Sequence, residues 1–153
     1  MKRLIALVFI ALGALPALAD ETTLAPAMTP AELLFATAGE EDLDQFIWIN
    51  RPIVVFADSP SDPRYVEQVA LLRARADELL ERDVVVLLDT DPDARSELRR
   101  KLRPRGYMMA LIDKDGDVMQ RKPFPWDVRE ITRSIDKTPL RQQELRGRVQ
   151  PEG

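Results

Sequence analysis

The chain has 153 residues, a net charge of −4, and neither cysteine nor histidine. Those absences exclude thiol–disulfide chemistry, catalytic triads built on imidazole and the usual zinc centres. The acidic balance also argues against nucleic acid as a partner, because a phosphate backbone wants a basic face.

The N-terminus reads as an export signal. Met1-Lys2-Arg3 is followed by an apolar run from Leu4 to about Leu15, Pro16 breaks it, and Ala17-Leu18-Ala19 supplies a small-x-small cleavage site. Cleavage is expected after Ala19, which removes residues 1–19 and delivers the protein to the periplasm or beyond the cell. The run is shorter than the roughly 20 apolar residues of a spanning helix, so no stable membrane insertion is expected after cleavage. Residues 20–28 read as a flexible leader, residues 29–148 as one domain, and residues 149–153 as a disordered tail.

Thr29-Pro30-Ala31-Glu32 has capping-box spacing with proline at the first helical position. It predicts a helix of about two turns through Leu33, Leu34 and Phe35, ending near Gly39. Leu43, Phe46, Ile47 and Trp48 form a second short helical cluster before Asn50-Arg51-Pro52. Ile53 to Ala57 is a continuous, largely β-branched run, the pattern of a strand buried on both faces. Asp58 to Pro63 is a loop closing on a helix start, with Asp62 as N-cap. From there to Glu81, Val66, Val69, Leu72, Ala76, Leu79 and Leu80 mark one face of an amphipathic helix.

Val84 to Leu88 is a second apolar strand. A turn over Asp89 to Asp93 and a short helix from about Ala94 to Leu102 follow, ended by Pro104 and Gly106. Tyr107 to Ile112 is a third strand, and Asp113-Lys114-Asp115-Gly116 is a hairpin signal. The mixed polarity of Val118 to Lys122 predicts an edge strand. Val128, Ile131 and Ile135 then mark a last long helix, interrupted at Pro139 before a basic segment from Leu140 to Arg148.

This order predicts an α/β fold: a mixed four-stranded sheet, order 2-1-3-4, with helices on both faces and an N-terminal helical extension. The first two strands are expected parallel through a right-handed crossover, and the last two antiparallel. Four segments carry a resemblance: Arg51 to Ala57, Glu81 to Val86, Leu111 to Gly116, and Ile135 to Glu144. In that order they resemble the family catalogued as domain of unknown function 4174. The resemblance implies a thioredoxin-like fold, an exported protein, and binding rather than catalysis. Redox activity is not carried over. Where thioredoxins hold paired cysteines, this chain has Asp58-Ser59-Pro60-Ser61, and no proline lies near Met108, where their cis-proline would fall.

No catalytic residue, metal ligand or cofactor is assigned. Asp89, Asp91 and Asp93 are explained by helix capping, and Asp113, Asp115 and Asp117 by a tight turn. The ligand-binding candidates are Asp58, Ser59, Ser61 and Arg64, on a loop leaving the carboxyl end of a strand beside a helix N-terminus. Arg141, Arg146 and Arg148 are the partner-contact candidates, a basic end on an acidic body. The expected function is recognition of a periplasmic or extracellular protein, or of an extracellular polymer. The rival readings are an enzyme of unfamiliar mechanism using the Asp58 loop, and a structural or stress accessory protein.

Overall fold

The computed structural model describes residues 28–37 and 42–149. The export signal, nearly all of the leader and the last residues of the tail lie outside the described residues. The elements in chain order are α1 (Pro30–Leu34), β1 (Phe35–Thr37), a 3-10 turn (Leu43–Phe46), β2 (Arg51–Phe56), α2 (Pro63–Ala74), α3 (Ala76–Leu80) and β3 (Val84–Asp89). A second 3-10 turn (Pro92–Ala94), α4 (Glu97–Leu102), β4 (Met108–Ile112), β5 (Val118–Lys122), α5 (Val128–Asp136) and α6 (Pro139–Val149) follow. Among the described residues no helix is long and apolar enough to cross a membrane.

The sheet has five strands in the order β1-β3-β2-β4-β5. Its last four reproduce the expected order, with β2 parallel to β3 and antiparallel to β4, and β5 antiparallel to β4. The extra strand is a correction to the expected four. The capping box at Thr29 forms as anticipated, with Glu32 bonded back to the Thr29 backbone. The helix ends after Leu34, however, because Phe35, Ala36 and Thr37 pair in parallel with Val86, Leu87 and Leu88. A few ladder hydrogen bonds outweigh one more turn of a helix too short to be stable alone.

The central strand is β2, apolar except at its first residue and fully buried. Its alternate residues feed two cores. Ile53 and Val55 face Leu72, Leu79, Ile131 and Ile135 from α2, α3 and α5; Val54 and Phe56 face Leu98 and Leu102 from α4. Ladder bonding satisfies the backbone, so the side chains are free to be wholly apolar.

The helix expected from Asp62 to Glu81 is broken at Arg75, whose backbone leaves the helical region (φ −132°, ψ 40°). The break turns Ala76 and Leu79 into the core. Its inner face also differs from the expectation: Val66 is 53% exposed, whereas Gln68 is fully buried. The amide occupies that place because every polar atom it carries is bonded, as described below.

β5 lies at the edge of the sheet. Its pairing with β4 is irregular at Leu111/Ile112, and Arg121 and Lys122 punctuate it. Bulges and basic side chains are the usual defences of an open edge against self-association.

Candidate functional site

Two polar clusters sit at opposite ends of the sheet. The first lies at the carboxyl ends of β2 and β3, where the loop Asp58 to Arg64 leaves the sheet. The structure brings all four ligand-binding candidates into this one turn. The Ser59 and Ser61 hydroxyls are 2.8 Å apart, and the Ser61 N–H donates to Ser59 Oγ. Asp62 caps α2 by accepting from the Arg64 N–H, and its carboxylate also takes both Nε and Nη2 of Arg64, the latter at 2.8 Å. The Arg64 side chain holds the Asp62 carboxyl below its ordinary range. Asp58 is exposed. Ser59, Ser61, Asp62 and Arg64 thus satisfy one another.

Behind the loop, Arg64 rests over the ring of Tyr107, 5.4 Å from its centre. Tyr107 is buried, which raises the pKa of its hydroxyl, and that hydroxyl donates to Gln68 Oε1. Gln68 also accepts from the Trp126 N–H at 2.8 Å and donates to the Trp126 carbonyl at 3.0 Å. One buried amide therefore fastens α2 to the segment that leads into α5. Gln68 escaped the sequence reading although it stands four residues before Leu72, on the buried stripe of α2.

Beside it, Arg99 ties the two strand ends together. It donates to Asp89 Oδ1 at 2.8 Å and to the Ala57 carbonyl at 2.8 Å. Asp89 also accepts from the Asp91 N–H, and Asp91 caps the 3-10 turn through Asp93 N and Ala94 N. Asp89 and Asp91 thus hold this turn, and Asp93 is exposed. An open cleft of about 880 Å³ adjoins them, lined by Asp42, Thr90, Asp91, Arg95 and Arg100 among others. It belongs to the end of β3, not to the Asp58 loop.

The second cluster lies at the opposite end, under the start of β2. Arg51 is fully buried and donates through Nε to Asp113 Oδ1 at 2.8 Å, and through Nη1 and Nη2 to both oxygens of Glu144. Lys114 bridges Glu144 and Asp83. Arg82 holds Asp136 bidentately at 2.8 Å. Here the contact expectation for Arg141 needs correction: it is 1% exposed, set between Glu144 and Asp136, and offers no surface to a partner. Its Nε finds no hydrogen-bond partner. Arg146 and Arg148 are exposed, and Arg148 comes within 4.0 Å of Asp83. The basic segment is thus half lock and half surface.

This cluster sets a pH response. Burial would raise the pKa of Glu144, but hydrogen bonds from Arg51 and Lys114 outweigh it and hold the carboxyl at about 2, against an ordinary 4.5. A depressed carboxylate contributes stability that is complete above its unfolded pKa and is lost as pH falls through its folded one. The melting temperature is therefore expected to fall between about pH 4.5 and pH 2. Glu144→Gln should flatten that part of a melting-temperature profile; an unchanged slope would remove Glu144 as its source.

Comparison with known proteins follows from this geometry. The family described as "Domain of unknown function (DUF4174)" matches residues 42–144. No curated protein matches the chain. Among solved structures, a reduced 2-Cys peroxiredoxin of Plasmodium vivax superposes with a TM-score of 0.54 at 17% identity, over 68% of this chain and 85% of that one. A chloroplastic thioredoxin z gives 0.53 at 23% identity, over 68% and 96%. Thioredoxin peroxidase I of Plasmodium yoelii gives 0.52 at 21%, over 74% and 86%. At such identities the likeness shows the thioredoxin fold alone.

Proposed function

The chain belongs to the family described as domain of unknown function (DUF4174), and on that footing we propose that it is an exported recognition domain that binds another protein. One observation carries the reading: the strand-end loop of this fold is closed upon itself. Its serines bond each other, Asp62 and Arg64 pair, and the Tyr107 hydroxyl is committed to Gln68. A nucleophile needs a base beside it, and in this loop the Asp62 carboxylate is taken up by Arg64 while the sequence offers no imidazole. Preformed internal pairing suits a rigid scaffold, and a rigid scaffold suits recognition.

Export rests on the basic start, the apolar run and Ala17-Leu18-Ala19. N-terminal sequencing of exported material is expected to begin at Asp20 or within a residue or two of it. An intact Met1 on that material would rule the signal out. Binding is tested by cross-linking in intact producing cells, followed by mass spectrometry. A discrete partner recovered repeatedly supports the reading, whereas recovery of the chain alone overturns it.

A further inference from the structure

We propose that the open edge of β5, with Arg103 and Arg105 beside it, is the docking edge for an extended acidic segment of the partner protein. The inference rests on the binding reading above and names the surface and its chemistry. Six of the eleven residues from Arg95 to Arg105 are basic, a local excess on a protein whose net charge is negative. Part of that excess is internal: Arg99 serves Asp89, Arg100 serves Glu97, and Lys101 serves Asp42 and Asp44. Arg95, Arg103 and Arg105 remain, all exposed; Arg95 lines the cleft at the end of β3, which leaves Arg103 and Arg105 at the end of α4. Arg121 of β5 joins them, since its Nη1 donates to the Leu102 carbonyl at 2.6 Å and so brings its guanidinium to the end of α4.

Arg103, like Arg95, stands where a side chain strains the backbone. It closes α4 in the left-handed region at φ 51°, a place where glycine is favoured and any side chain is strained. An exposed cation is kept there against the backbone's preference.

The adjoining edge supplies direction. β5 is outermost in the sheet, so a row of its backbone N–H and C=O groups faces away from β4. An extended peptide can add to such a row as a further strand, with side-chain pockets and charges giving selectivity. Val118 at one end of the strand is 40% exposed and Phe124, just past the other, is 54% exposed. Apolar contacts at both ends of a ladder suit a polypeptide better than a polysaccharide. The charges also choose among polypeptides. A second copy of this chain would bring Arg121 and Lys122 against their own kind, while a strand rich in glutamate or aspartate is attracted.

The test uses the mature chain and a labelled peptide of alternating glutamate and threonine. Saturable, salt-sensitive binding with backbone amide shifts confined to residues 103–105 and 118–124 is expected. Arg103→Gly should melt at a higher temperature than the parent yet bind about threefold more weakly, and Arg103→Gly/Arg105→Gln about tenfold more weakly. Opposite signs on stability and affinity cannot come from misfolding. The proposal fails if the peptide does not bind, if the shifts fall elsewhere, or if the double variant binds as tightly as the parent. It also fails if heparin binds more tightly with the same amide shifts, which would make the patch a polysaccharide site. A cross-linked partner retained in cells by the double variant overturns the β5 edge and leaves the recognition reading standing. Absence of any cross-linked partner removes both.

Discussion

Val55→Asp is expected to unfold the domain at ordinary temperature, whereas Gln120→Asp should lower the melting temperature by only a few degrees, about the effect of 1 kcal/mol. Val55 is fully buried in the middle of β2, paired with Leu88 on one side and Met109 on the other. Above it lie Leu72, Ile131 and the rest of the larger core. A carboxylate placed in this apolar cluster stays charged without a partner or takes up a proton. Either route costs several kcal/mol against a total stability of about 5–15 kcal/mol. Gln120 sits on the edge strand and is partly exposed, where a carboxylate keeps its water. Thermal melts of the two variants decide the matter. Equal loss in both, or the reverse order, would contradict the placement of β2 at the centre of the sheet.

Arg51→Met is expected to cost about 3–5 kcal/mol, the usual penalty for breaking a buried pair from one side. The methionine fits the volume, but Asp113 loses the guanidinium that neutralises it, whereas Glu144 keeps Lys114 and Arg141. The penalty lies mainly in the stranded Asp113 carboxylate rather than in the lost attraction. Adding Asp113→Asn to Arg51→Met should therefore recover part of the stability, even though more of the network is gone. Denaturant unfolding of the single and double variants measures this. A double variant no more stable than Arg51→Met would show that the cluster owes its strength to mutual attraction instead.

The strands of this protein are legible because burial on both faces leaves a plain mark: runs such as Ile53 to Ala57 and Val84 to Leu88 fit the inner strands of an α/β sheet. The hairpin at Asp113 to Gly116 and the caps at Thr29, Asp62 and Asp127 follow from local chemistry that acts within a few residues. What was hidden depends on partners distant in sequence. Phe35 to Thr37 becomes a strand only because β3 offers a free edge. Arg51 looks like a strand boundary, since nothing near it announces carboxylates 62 and 93 residues away. Arg141 reads as surface for the same reason. In the candidate site, the loop between β2 and α2 is legible from its turn residues, whereas the mutual bonding of Ser59 with Ser61 and the support from Gln68, Tyr107 and Arg99 are not.

The span of the Arg51 cluster has a consequence for how the chain acquires its fold. Synthesis proceeds from the N-terminus, so β2 emerges with a cation that its own neighbourhood cannot neutralise. Asp113 arrives with the end of β4, and Glu144 only with the last helix. Until then, docking β2 between β3 and β4 means burying an arginine with half its partners missing, at a cost no partial core repays. Early settling of the central strand is disfavoured to that extent, and the last helix, which brings Glu144, completes its neutralisation.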